Sequence, residues 1–138
     1  MTRILALDWG SVRIGVAISD ELNIIATAFE KPLESKSALP ELEKIITENS
    51  VDKIIVGVPW NLKSLDSDST REARKFIEQL KKSLSIEIVE VDERFSTAEA
   101  LSRLQSQEKN AKQARADKDC LSAQLLLENY LSKQKNNE

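Results

Sequence analysis

The chain has 138 residues, 41% of them hydrophobic, a formal net charge of −3, one cysteine and no histidine. That length suits one compact domain with a real core, and the acidic balance argues mildly against nucleic-acid binding, although local patches matter more than net charge. The missing histidines exclude serine and cysteine triads built on His and every His-ligated zinc site. A single cysteine excludes an intramolecular disulfide or a thiolate zinc site, so any chemistry rests on carboxylates, lysines, hydroxyls or a bound metal.

Residues 3–8 and 12–19 are rich in Ile, Val, Leu and Ala and read as two strands joined by a tight turn through Gly10. The first ends on a lone carboxylate, Asp8, which is costly on a central strand unless a cation or a donor network meets it. The alternative is a turn aspartate bonding its own backbone. Residues 24–30 predict a third strand after a short polar turn at 20–23, completing an antiparallel meander; 32–37 reads as loop.

Leu39, Leu42, Ile45 and Ile46 predict a helix that ends at Asn49-Ser50. Residues 53–59 form a continuous apolar run, the pattern of a strand buried on both faces. Residues 60–66 read as a polar loop. Ala73, Phe76, Ile77, Leu80 and Leu84 mark a second helix, and residues 86–92 a fifth strand. Ser96-Thr97-Ala98-Glu99 is a capping box that opens a helix through Leu101 and Leu104. Residues 105–118 lack a clear apolar period and predict a mobile loop or a frayed helix. Residues 119–131 predict the last helix, with Ala123, Leu126, Leu127, Tyr130 and Leu131 facing the core, and residues 132–138 a disordered tail.

The expected order is βββαβαβαα: a single α/β domain over residues 1–131 whose mixed five-stranded sheet, first strand central, carries helices on both faces. No apolar run approaches a membrane span. Arg3 opens only a short apolar run before Asp8, unlike a signal peptide. With Cys120 as the lone thiol, the expected location is the cytoplasm.

This order, with an Asp on the first strand, resembles the ribonuclease H-like fold. Asp8-Trp9-Gly10-Ser11-Val12-Arg13-Ile14-Gly15-Val16-Ala17 resembles the D-x-G-x-x-x-I-G-V-A opening of the YqgF/RuvX family. Val56-Gly57-Val58-Pro59-Trp60-Asn61 is similar to its V-G-L-P-x-N segment, and Asp92-Glu93-Arg94-Phe95-Ser96-Thr97-Ala98-Glu99-Ala100 to its D-E-R-x-S-T-x-E-A segment. Lys118-Asp119-Cys120-Leu121-Ser122-Ala123 is similar to its final K-x-D-x-x-A-A helix. Two positions depart: Lys63-Ser64-Leu65 stands where the family usually has a glycine, and Ser122 where it usually has Ala. The resemblance implies a nuclease acting on the 5′ end of pre-16S ribosomal RNA, with Holliday-junction resolution of branched DNA as the alternative. A non-catalytic RNA- or ribosome-binding module is a third reading. A phosphotransferase of the actin/sugar-kinase type, which also carries D-x-G on its first strand, needs two domains and a longer chain.

For phosphodiester cleavage, two hard cations about 3.5–4 Å apart activate water and stabilise the leaving oxygen, and Mg²⁺ asks for only one or two carboxylates plus phosphate. The expected ligands of a Mg²⁺ or Mn²⁺ pair, and the catalytic acids, are Asp8, Glu93 past the end of the fifth strand, and Asp119 in the first turn of the last helix. Asp92 competes with Glu93, because neighbouring strand residues point to opposite faces. Glu93 can also simply pair with Arg94 or Arg13, and Asp119 can simply complement the helix dipole. Arg13 and Arg94 beside the acids, and Lys112, Arg115 and Lys118 from a basic 103–118 segment, are the expected contacts to substrate phosphate; that segment also reads as a solvated polar loop. Trp9 and Trp60 are candidates for base stacking or core. The expected partners are precursor rRNA or branched DNA, with the ribosome a further candidate and the chain a monomer or homodimer.

Overall fold

The structure, a computed structural model, describes residues 2–10, 12–58, 68–92 and 118–136. Strand β1 (Arg3–Asp8) pairs antiparallel with β2 (Arg13–Ser19), which pairs in turn with β3 (Ala26–Ala28) and β4 (Leu33–Glu34). A single 3-10 turn leads into α1 (Ala38–Asn49). Then come β5 (Val51–Val58), α2 (Asp68–Ser83), β6 (Glu87–Asp92) and α3 (Lys118–Asn136). The sheet order is β3-β2-β1-β5-β6, with β4 attached to β2. β5 lies parallel to β1 and β6 parallel to β5, as two helical crossovers require.

Side-chain alternation sorts the sheet into two faces. Leu5, Leu7, Ile14, Val16, Ile54 and Val56 point to the face covered by Leu42 of α1 and by Ala73, Phe76, Ile77 and Leu80 of α2. Ile4, Ala6, Ala17 and Ile55 point the other way, against Ala123, Leu127 and Leu131 of α3. The apolar run of β5 is thus buried on both sides, as its composition predicts.

Three boundaries differ from the sequence expectation. The third strand is only Ala26–Ala28, because the Asp20 carboxylate takes the backbone N–H groups of Ile24 (2.7 Å) and Ile25 (3.0 Å) and holds residues 20–25 in a turn. The 32–37 stretch contributes β4, since Leu33 finds a buried place beside Ile14; the sheet therefore has six strands rather than five. The last helix runs to Asn136, past the end of its apolar period at Leu131, because Ser132 to Asn136 contains no Gly or Pro to stop it. The expected 60–66 loop and the capping box at 96–99 lie outside the described residues, as does the expected 105–118 loop except for Lys118, which instead opens the last helix. None of the described helices is long and apolar enough to cross a membrane.

Both outer strands of the β2 side are managed. Asp20 N–H and Asn23 N–H close the turn onto Ile25 O (3.1 Å) and Asp20 O (3.0 Å), with Asn23 in the left-handed region at φ 57°. Buried Gln124 of α3 donates to Ala26 O on the outer side of β3 at 3.2 Å, which blocks that carbonyl from pairing with another chain.

The Ile25 and Ile24 N–H groups hold the Asp20 carboxyl below its ordinary value of 3.8. A depressed carboxylate stabilises the fold above its unfolded pKa, and that contribution is lost as pH falls through the folded value. Urea unfolding from pH 5 to pH 2 should therefore show the wild-type chain losing more stability than Asp20→Asn. Parallel curves would show that the turn does not use the charge.

Candidate functional site

Asp8 is the last residue of β1, and alternation from Ile4 and Ala6 places it on the α3 face. It is half-buried, its Oδ1 is shielded from solvent, and it has interaction partners within the fold. In register, Asp8 stands between Gly15 of β2 and Gly57 of β5. Gly15 and Gly57 share the parity of Ala17 and Ile55, so they too belong to the α3 face. Two residues without side chains thus flank the carboxylate, one on each neighbouring strand.

The third glycine of the chain, Gly10, belongs to the turn just past Asp8. A Cβ there would meet Arg13 O at 2.5 Å, so the turn from β1 to β2 can be this tight only without a side chain. Ser35 Oγ donates to Gly10 O (2.7 Å) and Ser35 N–H to Val12 O (3.0 Å), fixing the turn from the β4 side. Arg13, exposed, follows on β2 with the parity of Gly15, beyond Asp8 along the sheet.

Helix α3 reaches the same end. Its third residue, Cys120, is fully buried, and Cys120 Sγ accepts the backbone N–H of Val16 at 3.4 Å, one residue from Gly15. Val16 O accepts from Phe29 N–H, so Val16 presents both backbone groups to the β3 side just past the end of that short strand. The thiol supplies the acceptor that no strand provides. This contact brings the N-terminal turn of α3, and with it position 119, to the Asp8 end of the sheet. The positive end of a helix dipole there favours negative charge nearby.

On β6, Val89 and Val91 pack on the α3 face. Ile88 and Glu90 face α1 and α2, and Lys81 of α2 reaches Glu90 at 4.0 Å. The register sets Gly57 opposite Val91, so β6 reaches the level of Asp8 at residue 91. The odd-numbered positions of this strand are the ones that share Asp8's face. Two strand spacings separate β1 from β6, about 9–10 Å.

Of the sequence-predicted site residues, the fold therefore brings Asp8, Arg13 and the helix turn carrying positions 118 and 119 to one end of the sheet. Glu93, Arg94, Lys112 and Arg115 lie outside the described residues, as do the side chains of Asp92, Lys118 and Asp119, and no cluster of three metal-binding side chains occurs among those described. Trp9 is half-buried against the core beneath α1 and α2, which makes it a packing residue, and Trp60 lies outside the described residues. Sequence reading did not single out Gly15 or Gly57. Both stand inside the motif segments quoted above, and their physical signal is a glycine inside an apolar strand, which marks close approach of another group.

A family model described as RuvX, Holliday junction resolvase, matches residues 2–133. A protein of Fusobacterium nucleatum subsp. nucleatum, named "Putative pre-16S rRNA nuclease", is 42% identical over 98% of this chain and 100% of its own. One of Koribacter versatilis with the same name is 38% identical over 95% of this chain and 87% of its own. Among solved structures, RuvC of T. thermophilus in complex with a Holliday junction substrate superposes with a TM-score of 0.58 at 10% identity, over 97% of this chain and 96% of that one. At that identity the likeness is one of fold, and it identifies the sheet as ribonuclease H-like.

The Cys120 contact is testable by stability. Cys120→Val keeps an apolar side chain of similar size but leaves the Val16 N–H without its acceptor, a loss of about 1–3 kcal/mol for a buried donor. Chemical denaturation should show a drop of that order. A change under about 0.5 kcal/mol, the range of surface substitutions, would show that the N–H is satisfied otherwise.

Proposed function

The chain belongs to the RuvX family, and on that premise we propose that it is a metal-dependent endonuclease that processes the 5′ end of pre-16S ribosomal RNA at the Asp8 end of its sheet. The observation that carries the reading is the placement of Asp8: a carboxylate at the carboxyl end of a central strand, flanked by Gly15 and Gly57, under the N-terminal turn of α3. Open α/β sheets bind ligands at this edge.

The donors present fit a hard divalent cation. A carboxylate is the ligand type that Mg²⁺ and Mn²⁺ prefer over nitrogen or sulfur. Asp8, Glu93 and Asp119 would hold Mg²⁺ or Mn²⁺, as one ion or a pair. A cation bound there would supply Lewis acidity toward a phosphoryl oxygen and lower the pKa of water.

The chain's own residues do the rest. Asp8 fixes the charge on the α3 face. Arg13, on the neighbouring strand and exposed, grips a phosphate from the solvent side. Arg94, Lys112, Arg115 and Lys118 extend that grip along the nucleic acid, which is how a chain of net charge −3 holds a polyanion. Glu93, rather than its neighbour Asp92, is the second acid of this proposal.

The description of the matched family favours a second reading, in which the same site cuts four-way DNA junctions. Purified protein with Mn²⁺ is therefore offered 5′-extended 16S precursor and a synthetic junction. Cleavage of the RNA, abolished by EDTA and lowered about 10²–10³-fold in Asp8→Asn, a scale set by losing one charge-stabilising group, is the expected result. Preferential cutting of the junction would establish the second reading. RNA binding without cleavage of either would make the chain a binding module.

Arg13 gives an independent check. Arg13→Gln should weaken RNA binding and lower the slope of log K against log salt by about one, the effect of one lost phosphate contact. An unchanged slope would place Arg13 away from the backbone.

A further inference from the structure

We propose that Gly57 is a positioning residue: its missing side chain sets how closely α3 seats on β5, and so how near the first turn of that helix comes to Asp8. This rests on the metal-dependent reading above and adds a residue that touches neither metal nor substrate.

A Cβ added at Gly57 would land on Cδ1 of Leu126, with Cδ2 at 3.4 Å and Cγ at 3.5 Å. Leu126 is 2% exposed and sits in the middle of α3. The leucine thus occupies the space a side chain at 57 would take, and the helix lies correspondingly close to the strand. Elsewhere α3 is held to the sheet by polar contacts. Cys120 meets Val16 N–H over β2, Gln124 meets Ala26 O, and Tyr130 Oη accepts from Lys53 Nζ of β5 at 3.0 Å. Leu126 lies between these points, directly against Gly57 of β5 and next in register to Asp8, beside the apolar packing of Ala123, Leu127 and Leu131 on the sheet.

An α-helix moves as a rod, and Leu126 is about 9 Å from residue 120 along the axis at 1.5 Å per residue. Lifting α3 at Leu126 therefore tilts its first turn, which carries position 119, relative to Asp8. Binding of an ion shared between strand and helix is sensitive to such a shift, since groups that only orient ligands typically change metal affinity about 10–100-fold. The competing escape is local: a shallow cleft of about 30 Å³ lined by Val91, Leu126, Asn129, Tyr130 and Lys133 adjoins the leucine. If Leu126 swings into that cleft, the helix stays down and the first turn does not move.

The test measures Mn²⁺ affinity by calorimetry, and melting temperature in EDTA, for the wild type, Asp8→Asn, Gly57→Ala, Leu126→Ala and Gly57→Ala/Leu126→Ala. Gly57→Ala should weaken Mn²⁺ binding at least about tenfold. The double variant should recover most of that affinity while melting below Gly57→Ala, because it removes the clash and also the core packing. Affinity that rises as stability falls is the signature of positioning. Undiminished affinity in Gly57→Ala, or affinity that follows melting temperature across the set, overturns the proposal. Where the Ala substitution at 126 prevents folding, Leu126→Val replaces it under the same criteria. If wild type and Asp8→Asn bind Mn²⁺ equally, the metal-site reading itself fails and takes this proposal with it; that outcome shows in the first two proteins alone.

Discussion

The Asp8 end of the sheet is shaped by the close seating of α3 across it. A helix normally stands off a strand by the length of the side chains between them. Here Gly57 offers none, Leu126 fills the gap, and Cys120 bonds directly to the backbone of β2. The result is a helix N-terminus level with the end of β1, where Asp8 stands between Gly15 and Gly57. All three glycines of the chain lie around this one carboxylate, two beside it in register and one in the turn beyond. The usual cost of a glycine in a strand, up to about 1 kcal/mol relative to Ala, is accepted twice within one residue level of the site.

The opposite end of the sheet is built differently. There the Asp20 turn is tied down by four hydrogen bonds, Ser19 Oγ links Ile4 N–H to Asn23, and Arg3 pairs with Glu21 at 3.2 Å. Lys53 joins Glu87 (3.2 Å) and the Tyr130 hydroxyl, and Tyr130 first, then Glu87, raise its pKa against the effect of partial burial. A raised lysine stabilises the fold below its unfolded pKa, so this contribution is present at neutral pH and is lost only under strongly alkaline conditions. Polar satisfaction is thus dense where the chain reverses near β1's start, while the acid at its end stands between two glycines under the first turn of α3. That division suits a protein whose sheet is a rigid platform and whose chemistry is added at one edge.

The family assignment and the fold agree on the class of reaction. Full-length matches to RuvX relatives and a ribonuclease H-like sheet place the chain among phosphodiester-cleaving hydrolases. Without a histidine, proton transfer and water activation are left to carboxylates, lysines, hydroxyls or a bound metal. The net negative charge is no obstacle, because the acids needed for a cation site account for part of it and the predicted phosphate contacts sit in particular segments.

Apart from β4, the sequence alone determined the order of the described elements, the central place of β1 and the two-sided burial of β5, because period-two and period-3.6 apolar patterns and a strand–helix–strand succession are local properties of the chain. It also marked Asp8, since a charge closing an apolar strand is conspicuous in one dimension. It misplaced the limits of β3 and missed β4. Those depend on one carboxylate capturing the N–H groups four and five residues along the chain, and on Leu33 finding a buried place beside Ile14. Only the tertiary structure decided that Gly15 and Gly57 flank Asp8. Register between strands 42 residues apart in sequence is set by packing, and nothing near Gly57 in the chain refers to residue 8. The role of Cys120 belongs to the same class: a lone buried thiol reads as an ordinary apolar residue until the fold places the N–H of Val16 against its sulfur.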